Sequence, residues 1–301
     1  MNARHPETKG RRRLRTGAAL FTGLLWAATA FAQTSVKPGF NFFSASQDVE
    51  LGRQSAAQIE RQIPILRDYE VASYVSRIGA RLARVAPGAR YPYQFKIANL
   101  SDINAFALPG GYIYVHRGLI ERVRSEGELA GVMAHEISHV ALRHQTNQVS
   151  KAYLAKAGVG ILAQIFGGES QSGTRIMETV GGVGLNSLFL RFSRKAEEEA
   201  DVVGAQIMAR AGYDPHEMAN FFETLRQEAG RDPGKVDVFF SDHPSPVNRA
   251  ARIRQEATLI HAERRAPPAG DLRYVQSLLR RFPRAPSLSQ VLKAQSRYDE
   301  Q

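Results

Sequence analysis

The residues of this sequence best suited to chemistry are His135-Glu136-Ile137-Ser138-His139. On a helix, positions i and i+4 lie on one face, so both imidazoles converge on a single metal ion. Glu136 sits beside them, placed to take a proton from water activated by that metal. The plain alternative is a helix with two surface histidines and a solvated glutamate. A catalytic zinc takes three protein ligands and keeps a fourth position open, so a third donor has to come from another helix packed against the first. Glu197-Glu198-Glu199-Ala200-Asp201 supplies the candidates. Glu197 and Asp201 are four apart and share a face, whereas Glu198 and Glu199 turn about 100° and 200° away from it. Gly204 and Met208 continue the Glu197 face, which therefore reads as packed. An acid pair on a packed face requires a partner, because an unpaired buried charge is very costly. A metal with its histidines is such a partner. A solvated acidic stripe accounts for Glu198 and Glu199.

Composition narrows the chemistry further. The 301 residues include no cysteine, which excludes a disulfide scaffold, a Cys-ligated zinc knuckle, an iron–sulfur site, a cysteine nucleophile and a lipid-modified N-terminal cysteine. Metal binding is left to His, Asp and Glu. The length suffices for one large domain or two small ones with a real core. Roughly half of the net charge of +11 sits in residues 1–32, where Arg4, Lys9, Arg11, Arg12, Arg13 and Arg15 face the single acid Glu7. No dense basic stripe or RNA-binding aromatic motif follows, so no nucleic-acid partner is expected.

The basic stretch leads into an apolar run, Ala18 to Phe31, closed by Ala30-Phe31-Ala32 before Gln33. That order describes a secretory signal peptide cleaved after Ala32. The alternative, an uncleaved anchor, is disfavoured because a span needs roughly 20 apolar residues. The mature chain is then exported.

Stepping along the chain, residues 33–46 form a polar lead-in and 47–86 two helices. Leu51, Ile59 and Ile63 mark the first, and Val71, Tyr74, Val75, Ile78 and Leu82 the second. Alternation at Tyr93, Phe95 and Ile97 predicts a strand, and Tyr112–Val115 predicts another after the turn Pro109-Gly110-Gly111. Ser125 with Glu128 reads as a capping box opening the helix that carries His135. Residues 151–190 predict two helices around a mobile loop at Gly167-Gly168-Glu169-Ser170, acting as core or as a lid. Helices are expected at 193–211, 216–229 and 246–265, with a polar loop at Asp242-His243-Pro244. Residues 47–265 form the main domain, and the basic tail 266–301 is expected to be loosely attached, in reach of anionic lipid. His116 and His144 read as ordinary surface or capping histidines.

His135-Glu136-x-x-His139 followed by Glu197-x-x-x-Asp201 resembles the M48 family of zinc metallopeptidases. Asn104-Ala105-Phe106-Ala107-Leu108-Pro109-Gly110-Gly111, Ser193-Arg194 and Ala211-Gly212-Tyr213-Asp214-Pro215 carry the same resemblance, which covers roughly residues 48 to 255. Within the family the chain is similar to the exported bacterial branch concerned with outer-membrane protein quality control. It departs from the best-known members in lacking a tetratricopeptide repeat region and a lipid-anchoring cysteine. The transmembrane helices of the family's prenyl-protein proteases are also missing.

The resemblance implies a mainly helical α+β fold of the thermolysin-like zincin type, with a small sheet edging the cleft. It implies one zinc held by His135, His139 and Glu197, with Glu136 as general base and Asp201 hydrogen-bonded to a ligand histidine. It places His243 near the metal, to stabilise an oxyanion or to occupy the open position in a latent state, and Arg249 on a substrate carbonyl. Asn104, Ala105 and Phe106 are expected to bind substrate at a sheet edge that pairs with extended peptide. The function implied is a periplasmic endopeptidase for misfolded or misassembled envelope proteins, near the outer-membrane assembly machinery. A chaperone or assembly factor with a mostly latent site is the alternative. An exopeptidase fits less well, because nothing identifiable captures a chain terminus.

Overall fold

Helix boundaries follow local chemistry. Ser44 opens α1 (Ala45–Gln62) with a capping box completed by Gln47, and Asp68 caps α2 (Tyr69–Ala83) by accepting from Val71 N. Both helices bury the predicted faces: Leu51 and Ile59 on α1, and Val71, Tyr74, Val75, Ile78 and Leu82 on α2. The computed structural model describes residues 33–152, 154, 192–243, 248–262 and 271–299. The signal-peptide reading at 1–32, the helices and loop expected beyond residue 154 up to 190, and Pro244 fall outside the described residues.

The sheet has four strands, β1 (Ile65–Leu66), β2 (Gln94–Ala98), β3 (Ala105–Leu108) and β4 (Tyr112–His116), in the order β1-β2-β4-β3. β2 and β4 run parallel, with Ile97 opposite Val115, and β3 is antiparallel to β4. Periodicity indicated only β2 and β4. β1 is two residues long, too short to alternate. β3 is buried at every position, and a strand covered on both faces shows no polar alternation. Between β3 and β4 the chain turns through Pro109–Gly111. Gly110 has φ +71°, and a Cβ there would lie 2.4 Å from Val49 Cα, so glycine is what lets α1 rest against this turn.

After α3 (Arg117–Arg122), α4 (Glu126–Ala141) carries His135, Glu136 and His139, and all sixteen of its residues are buried. A helix covered all round is a central one; α4 packs on α2, β3 and two later helices. Its capping box closes only halfway. Ser125 accepts from Glu128 N at 3.0 Å, but the Glu128 carboxylate takes Arg124 N at 2.8 Å and Thr224 Oγ1 at 2.9 Å instead of the cap's own N–H.

The later helices are α5 (Arg194–Arg210), α6 (His216–Arg231), α7 (Asp237–Asp242) and α8 (Arg249–Leu259). The short α7, absent from the sequence reading, ends at His243, so that residue closes a helix. α5 comes close to α4 at Gly204, where a Cβ would stand 3.3 Å from His135 N.

Within the tail expected to be loosely attached, the described residues from 271 onward are anchored to the domain. α9 (Leu272–Leu279) buries Leu272, Val275, Leu278 and Leu279 in the main core, and α10 (Leu288–Asp299) follows. Buried Arg117 donates to Leu279 O at 2.8 Å and Pro283 O at 2.7 Å, and Leu288 N donates to Asp102 at 2.7 Å. The basic residues hid an amphipathic helix whose apolar face completes the core. Among the described residues, no helix is long and apolar enough to cross a membrane.

Candidate metal centre

α4 presents His135 and His139 one turn apart, and their Nε2 atoms lie 3.0 Å from each other. Ser193 caps α5 by accepting from Ala196 N, which sets Glu197 in that helix's first turn. Glu197 Oε2 stands 3.4 Å from His135 Nε2, and Oε1 stands 3.4 Å from His139 Nε2. Tetrahedral bonds of about 2.0–2.1 Å to zinc separate their donor atoms by roughly 3.3 Å, so this triangle has the dimensions of a metal site. His243 adds a fourth donor. Its Nδ1 is 3.1 Å from Glu197 Oε1, and the donor atoms of all four residues lie within 4.8 Å of one another.

Charge also fits a dication. Glu136, Glu197 and Asp201 are fully buried, and Arg249 is the buried permanent cation among them. With neutral histidines the three carboxylates still outnumber the two guanidiniums near them, Arg249 and, 3.7 Å from Asp201, Arg252, so the pocket is short of positive charge. The protein's own groups register the deficit. Burial opposes charge on His243, yet the carboxylates of Glu197 and Glu136 outweigh it and push the imidazole up to about 9. Burial works against the charged form of Glu197 too, but His243 and His135 hold its carboxyl well below the usual range. Burial keeps the His139 imidazole well below its ordinary value, in the neutral form a metal needs.

Glu136 is set apart. Neither of its oxygens has a hydrogen-bond partner, and His243 Nε2, also without one, lies 3.4 Å away. Burial raises its carboxyl against the pull of His243 and His135. A carboxylate with raised basicity and free lone pairs is equipped to take a proton.

Around this set, Asp201 Oδ1 lies 3.2 Å from His135 Nδ1. Arg249 Nη2 lies 2.7 Å from Asp201 Oδ1, and its Nη1 lies 3.0 Å from Glu197 Oε2. Arg249, which the resemblance puts on a substrate carbonyl, is buried with its guanidinium turned to these carboxylates and Nη2 also 3.1 Å from His135 Nδ1. Asn104, Ala105 and Phe106, which the resemblance places on substrate, are packed within the protein. Asn104 donates to Asp242 at 2.8 Å, tying β3 to α7; Ala105 is buried; Phe106 stacks on Tyr114 in a second apolar cluster. The backbone of β3 is covered as well, with Ala105 and Ala107 both buried. His116 N donates to Asn104 O, so by antiparallel alternation Ala105 and Ala107 direct their amides away from β4. Ala107 O is met there by Gln145 Nε2 at 3.4 Å.

Two histidines read as surface residues are buried. His116 ends β4, and burial pushes its imidazole down to about 4. His144 lies 2.9 Å from His139, Nδ1 to Nδ1, and its Nε2 lies 3.2 Å from Glu199 Oε2. Phe192 stacks on His139 with centroids 3.7 Å apart. Sequence spacing concealed His144, because five residues along a continuous helix would turn it about 140° from His139. Only a break after α4 brings it back. Glu198, by contrast, is partly exposed and pairs with Arg252 at 3.0 Å.

The chain is 30% identical over 217 residues to the beta-barrel assembly-enhancing protease of Escherichia coli (strain K12), an alignment covering 71% of this chain and 44% of that protein. It is 28% identical over 249 residues to the metalloprotease YcaL of the same strain, covering 79% and 93%. A mitochondrial metalloendopeptidase, OMA1 of Schizosaccharomyces pombe, is 30% identical over 189 residues, covering 60% and 52%. The chain thus spans less than half the length of the assembly-enhancing protease it matches. The profile of peptidase family M48 matches residues 70–257, which take in His135, Glu136, His139, Glu197, Asp201, His243 and Arg249. With well over half the chain inside that match, the protein belongs to peptidase family M48.

Proposed function

We propose that the chain is an exported, periplasmic zinc endopeptidase that hydrolyses peptide bonds of misfolded or misassembled envelope proteins. The observation that carries this reading is the triangle of His135, His139 and Glu197 donor atoms with the uncommitted carboxylate of Glu136 beside it. His135, His139 and Glu197 would hold the ion. When bound, zinc supplies Lewis acidity to a peptide carbonyl and to water. Glu136 takes the proton of the attacking water and passes it to the leaving amine nitrogen, so the atoms balance with no covalent enzyme intermediate. Asp201 fixes the His135 ring through Nδ1, and Arg249 neutralises Asp201. Once the covered edge of β3 is opened, an extended substrate pairs with its outward amides, a contact through main chain that requires little of the substrate's sequence. Such tolerance suits unfolded clients, and the names of the assembly-enhancing relatives support clients in the outer-membrane assembly pathway.

The test is zinc content by mass spectrometry together with casein cleavage. Wild type is expected to hold one zinc per chain and to cut internally. Glu136→Gln is expected to keep the zinc and lose activity by about 10²–10⁴-fold. Full activity in that variant would refute the mechanism, and products trimmed from one end only would point to an exopeptidase.

A second reading rests on His243. Four buried protein donors close a zinc site, and a closed site fits a chaperone or assembly factor with latent chemistry. Restoration of envelope integrity by Glu136→Gln in a deletion strain would favour it.

A further inference from the structure

The two histidines of α4 are oriented by different partners. His135 turns Nδ1 to a carboxylate, Asp201, which Arg249 neutralises. His139 turns Nδ1 to another imidazole, that of His144 at 2.9 Å, while Phe192 lies flat on its ring. Beyond His144 stands Glu199, whose other oxygen is 3.7 Å from Lys195 Nζ.

The backbone is bent to make this contact. α4 stops at Ala141, Arg143 takes φ +58°, and a new helical run begins at residue 144. A non-glycine residue held in the left-handed region persists only where its surroundings fix it. Arg143 is so fixed, by Nε at 2.6 Å from buried Asp48 and by Nη2 on Phe43 O.

Hydrogen-bond accounting then assigns each proton. His139 can offer Nε2 to a metal only if its ring proton is on Nδ1. That N–H donates to His144 Nδ1, which must be unprotonated to accept. The His144 proton is therefore on Nε2, where it donates to Glu199.

We propose that His144 is a positioning residue for the metal centre: it holds His139 in the metal-binding tautomer and orientation, and Glu199 fixes the tautomer of His144 in turn. This rests on His139 being a metal ligand, as proposed above.

The test uses the full chain loaded with zinc. Nitrogen-15 NMR of the imidazoles is expected to show His144 protonated on Nε2 and bare on Nδ1; a proton on Nδ1 would overturn the proposal. In competition with a chelator, His144→Leu is expected to weaken zinc binding roughly 10–100-fold. His144→Gln, whose amide oxygen accepts the same proton, is expected to keep most of the affinity. Wild-type affinity in His144→Leu, or an equal loss in both variants, overturns it. Should His144→Leu fail to fold, the tautomer and Glu199→Ala decide. Glu199→Ala is expected to weaken zinc less than His144→Leu and to leave His144 bare on Nδ1, since the His139 N–H still requires an acceptor; wild-type zinc affinity there counts against the role of Glu199. Failure of the wild-type chain to bind zinc would refute the ligand assignment itself, a different result from loss of the His144 effect.

Discussion

Arg249 meets Asp201 with two nitrogens, Nε at 3.0 Å from Oδ2 and Nη2 at 2.7 Å from Oδ1, where neither side chain reaches solvent. The same aspartate faces His135, so the guanidinium compensates the charge that steadies a candidate ligand. Burial raises the Asp201 carboxyl, but Arg249 and His135 outweigh it and hold it low.

Removing Arg249 should therefore act on stability before it acts on substrate. Arg249→Leu takes from Asp201 its bidentate buried partner and leaves it only Arg252 at 3.7 Å, and breaking a buried pair costs about 3–5 kcal/mol. Urea unfolding measures this directly. A raised KM with unchanged stability would instead return Arg249 to the substrate carbonyl.

His243 gives the opposite expectation for activity. With Nδ1 near Glu197 and Nε2 near Glu136, it sits among the candidate ligands as a fourth donor. A filled fourth position blocks substrate, since catalytic zinc keeps one open. His243→Ala is expected to cleave casein faster than wild type. A loss of tenfold or more would assign the imidazole to oxyanion stabilisation.

The pH dependence of stability has an identifiable contributor in His116. Burial lowers its imidazole from 6.5 to about 4 in the folded chain. The unfolded state therefore takes up the proton first as pH falls. Stability from this group is complete above about 6.5 and drains away toward 4. Between pH 7 and pH 5 the loss from this residue is about 2 kcal/mol. Urea midpoints for wild type and His116→Gln at both values test it. The variant should lose less stability on acidification, and an identical loss would clear His116 of the effect.

The docked C-terminus makes a prediction that a loose tail would not. Leu279 is fully buried in the main core, and its carbonyl accepts from Arg117. Leu279→Ala should cost about 2–5 kcal/mol in a denaturant titration. A change below about 0.5 kcal/mol is what a detached surface segment would give.

The sequence by itself determined which residues lie along one helix. The i, i+4 spacing of His135 and His139, the same spacing of Glu197 and Asp201, and the apolar faces of α1 and α2 are local properties of a 3.6-residue period. The absence of cysteine likewise restricted the metal donors before any fold was known. Local pattern does not report how elements meet. Only the tertiary structure brought α5 onto α4 at Gly204, turned Arg249 inward to Asp201, and carried His243 from the end of α7 to Glu136 and Glu197. It also buried β3 on both faces and packed α9 into the core, where a loose tail was expected. His144 marks the boundary most clearly. Its residue type was visible from the start, but its partner was set by one left-handed residue, Arg143, which ends a helical period and so cancels the arithmetic that periodicity depends on.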